Sequence, residues 1–426
     1  VASRCPTDAE PATEAPGTLP HHRQLQTWID RLPTGAADEV LVTTEDAAAL
    51  TTRAADTEGA WRDPLADEAA APDAVAASIA ERMTWMTAQV DSGQYVEGVP
   101  GALEAARGIE AAAVAIDEVR VVAGETQLWC VPLTSGLFKS PVDPDFDRNR
   151  CASLHAGEPV RVVQADEASG WSRVTAGHTA GWVHTPVWTP VLPRAATAEL
   201  LHGPTVVPRR DDVRTEGGHV VRLGVRLPAV EESDGRVRVQ VATADGWVDD
   251  FVTLGADFAV GSRPLTRRAL WEAALSELDA PYGWGGRAGE RDCSRLLRDV
   301  FAGFGIELPR HSGVQALTGT ANVDVSDLPE TDKRAAIRAA AREGLVLVYM
   351  PGHIMLYLGD DDGRDYAVSS VSEFLTPCEG GPDTVHRLDR VAVTTLDIGR
   401  GTERTAFIER ITRLVVFGPP SVPPSD

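Results

Sequence analysis

The chain has 426 residues, 43% apolar and 24% charged, which is too long for one ordinary core; at roughly 100 to 200 residues per domain it is expected to be modular. Its 63 acidic residues against 40 basic ones leave a formal charge of -23, and a field of that sign repels nucleic-acid phosphates and anionic lipid headgroups, so no nucleic-acid partner is expected. No apolar run reaches the ~18 residues that a membrane span needs, so no transmembrane segment is expected either.

Residues 1–108 are rich in Ala, Asp, Glu, Thr and Pro and read as a mostly helical, partly irregular domain with a disordered start. Val75, Ile79, Met83 and Met86 recur there at three- and four-residue spacing, the period of an amphipathic helix. Short alternating runs follow over 109–195, with Trp171, Trp182 and Trp188 between turn glycines, as in small antiparallel β units. The ending "AGWV" at Trp182 returns as "DGWV" at Trp247, so 196–262 is expected to be a second copy of one β module.

From Leu265 the period becomes helical again, with Thr266 as the expected N-cap and Leu270, Ala274, Leu275 and Leu278 on one face. A mixed α+β domain is expected over 263–418. Within it come a glycine-rich turn from Gly283, a helix beginning near Cys293, the tetrapeptide "PRHS", an acidic loop and the helix "ETDKRAAIRAAARE" stopped at Gly344. The run "LVLVYMPGHIMLYLG" then reads as two strands joined at Pro351 and Gly352. The proline-rich tail 419–426 is expected to fray.

Two residues stand out as chemistry. Cys293 lies four residues before Leu297, and with Leu296, Val300, Phe301 and Phe304 that helix has an apolar face, which suits a small buried filler. A thiol in a first helical turn also feels the positive end of the helix dipole, which favours thiolate and suits a nucleophile. His353 follows the Pro-Gly turn and alternates with Met355 and Tyr357 on one face, with Ile354, Leu356 and Leu358 on the other. An imidazole in so apolar a strand needs a partner: a backbone carbonyl would hold it, and a thiol would both hold it and be activated by it. His311 of "PRHS" follows closely enough to line the same cleft. His21, His22, His178 and His219 sit in polar loops and are expected on the solvated surface.

The motifs "PYGWGG", "RDCSRLLRDVF", "FGIELPRHS" and, some sixty residues after Cys293, "PGHIMLYLG" together resemble the NlpC/p60 family of bacterial cell-wall cysteine peptidases. Upstream, "PLTSGLFKSPVDPDFDRNRCASLHAGEPVRVV" looks like the first of two bacterial SH3-like modules that precede the catalytic domain in one branch of that family, behind a family-specific N-terminal domain. The resemblance implies a multidomain α+β chain: a papain-like catalytic domain preceded by two small β-barrel modules. It implies that Cys293 attacks an amide carbonyl while His353 acts as base and then acid. The implied substrate is the peptidoglycan stem, commonly at the bond from γ-D-glutamate to the diamino acid, met as intact wall or as muropeptides.

By the same resemblance Tyr282 donates a hydrogen bond near the thiolate, Asp292 and Ser294 hold the substrate's amine and backbone, and Trp284 and Ser312 line the cleft. The family's third polar residue, which orients the histidine, falls on Ser369, with Ser370 and Asp365 as neighbouring alternatives; serine is a weaker orienter than an amide or imidazole. A scaffold that binds the wall without competent catalysis is the alternative this leaves open.

The five cysteines show no CxxC spacing, so no metal and no cofactor is expected. Cys130 and Cys151 share the first β module and can bridge if their strands are adjacent, in keeping with an extracytoplasmic location. Cys5 follows Arg4, which is wrong for a lipidation signal, so a free or disordered cysteine is expected there; Cys378 reads as a loop or core residue. The chain opens at Val1 without a basic segment followed by an apolar one, so export is argued from function. A monomer is expected.

Overall fold

The structure is a computed structural model that describes residues 5–6, 8–55, 63–66 and 72–419. The expected disordered start and most of the expected frayed tail lie outside those residues. The chain divides into two compact units: residues 1–60, 262–282 and 291–426 form one, and residues 61–261 and 283–290 form the other. The segment 1–108, read above as one helical domain, is thus shared between them.

In the first unit the described residues build a seven-stranded sheet in the order Glu10–Pro11, Thr384–Thr395, Arg364–Thr376, His353–Asp361, Leu345–Met350, Arg413–Phe417, Ala321–Asp324. Every pairing is antiparallel except that of Glu10–Pro11 with Thr384–Thr395. The expected hairpin forms, with Met350 opposite His353, and Gly352 supplies the left-handed turn residue at φ 87°. Met355 and Tyr357 join a core with Val346, Val348 and Ile337 of the helix Glu330–Glu343, while Ile354, Leu356 and Leu358 alternate away from them and are buried as well. The acidic loop contains one further strand, Ala321–Asp324, paired with Arg413–Phe417.

The helix Arg267–Leu275 is capped as expected: the Thr266 hydroxyl oxygen accepts from the Ala269 N–H at 3.1 Å. The helix Cys293–Ala302 is buried along its whole length, including Arg295, Arg298 and Asp299, and it packs on the strands His353–Asp361 and Arg364–Thr376.

Residues 5–55 run as a strap over this same unit. Cys5 is disulfide-bonded to Cys378, 373 positions away, which corrects the reading of Cys5 as free; Cys378 lies in a loop, as expected, and the parallel pairing of Glu10 with His386 carries the start of the chain to that place. Ala15 enters the sheet core. His22 is buried rather than solvated, because its Nε2 lies 2.9 Å from the Asp361 carboxylate and its ring packs against Tyr366. His178, also expected at the surface, is buried in the other unit.

In that other unit the described residues form a six-stranded sheet from strands between Val114 and His184, and a five-stranded sheet from strands between Thr205 and Val260. Each sheet has its own core, around Leu128, Ala152 and Val174 in the first and around Val206, Val237 and Val239 in the second. The two copies of "GWV" both lie in strands, yet Trp182 is fully buried and Trp247 only half-buried. Cys130 and Cys151 are bridged, with their Cα atoms 5.2 Å apart.

Candidate active site

Cys293 is the first residue of its helix and the free cysteine of the chain. Asp292 caps that helix, its Oδ1 accepting from the Arg295 N–H at 3.0 Å, which fixes the direction in which the thiol leaves the first turn. The thiol meets the start of the histidine strand, where the backbone N–H of Ile354 hydrogen-bonds it, and the N–H of Ser294 does the same from its own helix.

One residue before Ile354 stands His353. Its Nε2 lies 3.1 Å from Ser369 Oγ on the adjacent strand, and its ring centroid is 5.6 Å from that of Phe407. Of the three groups read as possible partners of the imidazole, Ser369 is the one that reaches it. Ser370 Oγ donates to the Arg291 carbonyl at 2.7 Å. The Asp365 carboxylate is occupied by Arg334, Arg338 and the Tyr357 hydroxyl, at 2.6, 2.9 and 2.8 Å.

The residues around the thiol are tied by Arg310, of the tetrapeptide "PRHS", and by Gln315, neither of which carries a role in the sequence motifs above. Arg310 donates to both oxygens of Asp292 and to Ser294 Oγ, the last at 2.7 Å, and Ser294 Oγ donates to Asp292 Oδ1 at 3.1 Å. Gln315 donates to the Ser294 and Pro309 carbonyls, both at 2.8 Å. Ser312 opens the short helix Ser312–Gln315, which His311 caps by accepting from the Gly313 N–H.

Tyr282 is half-buried, and its backbone N–H donates to the Asp389 carbonyl at 3.0 Å. Trp284 belongs to the second unit, where its indole N–H donates to the Asp147 carbonyl at 2.9 Å and the Arg148 guanidinium lies 4.4 Å from its ring. In the same turn a Cβ on Gly285 would meet the Arg150 carbonyl at 2.4 Å, and its φ of 59° also favours glycine.

A family model, the NlpC/P60 family, matches residues 279–372, which contain Cys293, His353 and Ser369. The C-terminal part of the chain carries an NlpC/P60 family domain. A probable endopeptidase of Mycobacterium tuberculosis (strain H37Rv) is 39% identical over 82 residues, 19% of this chain and 21% of the relative. The peptidoglycan endopeptidase RipB of the same species is 33% identical over 20% of this chain and 37% of its own length. The chain therefore spans about a fifth to two fifths of these curated relatives. Over its larger extent it is similar in fold to an NlpC/P60 endopeptidase from Photobacterium damselae subsp. piscicida, with a TM-score of 0.58, 14% identity, and 85% of this chain and 95% of that one covered.

The electrostatics of the NlpC/P60 domain depart from the simple helix-dipole argument. Burial pushes the Cys293 thiol up to about 12, and the Asp292 carboxylate beside it adds to the effect. The two backbone N–H groups and the charge of Arg310 act in the opposite direction and are outweighed. Burial likewise lowers His353 to about 4, and the positive charge of Arg410 contributes. Thiol and imidazole are thus both held neutral at pH 7. Burial alone would raise Asp292, but the charge and hydrogen bonds of Arg310 keep it below the usual carboxylate range.

One cluster in the same unit has the residue types of a metal site: His21, His22 and Asp361. Its hydrogen bonds argue against a metal. The Leu19 N–H donates to His22 Nδ1 at 3.0 Å, so the ring proton sits on Nε2, the atom that faces Asp361, and Arg31 already occupies the other carboxylate oxygen. These side chains pin the N-terminal strap to the hairpin. Among the described residues no helix is long and apolar enough to cross a membrane.

Proposed function

We propose that this chain is a cysteine endopeptidase that hydrolyses peptidoglycan stem peptides outside the cytoplasm, at the bond from γ-D-glutamate to the diamino acid. The observation that carries the reading is a helix-start thiol against the first residues of a strand whose histidine is held by Ser369. With Nε2 turned to Ser369, His353 offers Nδ1 to the thiol.

Since both groups rest neutral, the proton moves as the substrate arrives. Sγ attacks the amide carbon while its proton passes to His353, and the imidazolium returns that proton to the departing amine. Water, deprotonated by the same histidine, then cleaves the thioester. The N–H of Cys293, which the Asp292 cap leaves over, faces the developing oxyanion. Tyr282, Asp292, Ser294 and Ser312 position the peptide, Asp292 and Ser294 through the bonds that Arg310 and Gln315 make to them. The two β sheets of the other unit are read as SH3-like modules.

The test is cleavage of L-alanyl-γ-D-glutamyl-diaminopimelate by wild type, Cys293→Ala and Ser369→Ala. Cys293→Ala is expected to lower kcat by about a thousandfold or more, and Ser369→Ala by about tenfold with KM nearly unchanged. Equal rates for wild type and Cys293→Ala would defeat the proposal. A wall-binding scaffold is the second reading, favoured by the two neutral groups; under it, wild type retains sacculi and cleaves nothing.

A further inference from the structure

Arginines in this unit are as a rule paired. Arg334 and Arg338 hold Asp365, Arg400 holds Glu330, and Arg404 holds Glu373. Arg410 differs. It ends the short helix Phe407–Arg410, is half-buried, and pairs with no carboxylate among the described residues; the charge that acts on it is that of a second cation, Arg404. Its guanidinium lies 5.8 Å from the Phe407 ring centroid, and that ring is 5.6 Å from His353.

A guanidinium partly removed from water and left without a counter-ion is unfavourable unless an anion completes it. Here the Phe407 ring stands between it and the base of the proposed reaction, whose charge it influences. We propose that Arg410 is a specificity-determining residue that receives a substrate carboxylate beside the scissile bond. The inference rests on the stem-peptide reading, in which two such groups are near: the α-carboxylate of the γ-linked D-glutamate and a carboxylate of the diamino acid.

Binding that carboxylate would do more than anchor the peptide. The charges that act on His353 are Arg410, from the short helix, and Asp292, from the cap of the helix that starts at Cys293 and already paired with Arg310; Ser369 faces it as a neutral group. A substrate anion on Arg410 cancels the cation that opposes protonation of the imidazole. His353 then becomes a stronger base only when a correctly charged substrate is in place.

The experiment compares three peptides, L-alanyl-γ-D-glutamyl-diaminopimelate, the same peptide with the glutamate α-carboxyl amidated, and the same with the diaminopimelate carboxyls amidated, using wild type, Arg410→Gln and Arg410→Lys. One amidation is expected to lower the wild-type kcat/KM by about 10- to 100-fold, as for a lost charged hydrogen bond, and which one identifies the carboxylate. Arg410→Gln should bring that ratio within about threefold of one and move the acid limb of the pH profile up, since the cation that lowers His353 is gone, while Arg410→Lys keeps part of the preference. A ratio equal in wild type and Arg410→Gln overturns the proposal, and so do wild-type ratios near one for both amidations, a result that needs no variant to fold.

Alkylation of Cys293 by iodoacetate relative to iodoacetamide, each referenced to glutathione, supplies a readout without peptides. If no peptide is cleaved but the iodoacetate preference falls in Arg410→Gln, the peptidase reading fails and the anion site stands. If peptides are cleaved with unchanged ratios, the peptidase stands and the role of Arg410 fails.

Discussion

The two central side chains are each disfavoured in the charged form, and this has a direct chemical signature. A thiol pushed up to about 12 has less thiolate at pH 8 than a free cysteine, so alkylation of Cys293 by iodoacetamide should be slow at neutral pH and still rising at pH 10. A plateau below pH 8 would instead reveal a preformed thiolate and imidazolium pair. Cys293 and His353 were legible because each sits at a local punctuation mark, a helix start and a Pro-Gly turn, where an unusual residue type is conspicuous. Ser369 came only from the family resemblance, since a serine in a strand carries no signal of its own. Arg410 was not legible at all: an arginine next to an acid and two residues from a threonine reads as surface, and only the fold shows that Glu409 turns elsewhere.

At the scale of an element, the helix Cys293–Ala302 is the least ordinary piece. Its apolar positions were plain in the sequence, but nothing there speaks for Arg291, Arg295 and Arg298. In the fold all three guanidinium groups converge on the fully buried Asp299, at 2.8, 2.8 and 2.9 Å, and Arg291 also faces Glu277 at 3.4 Å. Side-chain charge patterns cannot reveal this, because burial of a charged face depends on what the distant strands place over it. Asp299→Leu is expected to cost about 3–5 kcal/mol in urea unfolding, since it leaves three buried cations with one acid between them. A loss below 1 kcal/mol would show that water reaches the cluster. The same network fixes the start of the helix, so a milder change there should lower kcat before it unfolds the domain.

For the whole molecule, strand and helix periods separate β-rich stretches from mixed ones, whereas the strap of residues 5–55 was not readable. Its contacts with the sheet span hundreds of positions, as in the bond from Cys5 to Cys378, and periodicity carries no information at that range. Removing that bond by Cys5→Ser with Cys378→Ser should lower stability by about 2–5 kcal/mol, given the length of chain it closes. An unchanged melting temperature would mean that the strap is held by His22, Trp28 and Arg31 alone. The path of the chain has a further consequence. It crosses the division between the two units four times, after residues 60, 261, 282 and 290, and the last two crossings fall inside the motif that leads to the nucleophile. Recombination of genes moves contiguous segments, so no single crossover can graft this catalytic unit onto another protein or fit it with new β modules. Strap, sheets and thiol have to be inherited together, and their sequences are constrained to change in concert.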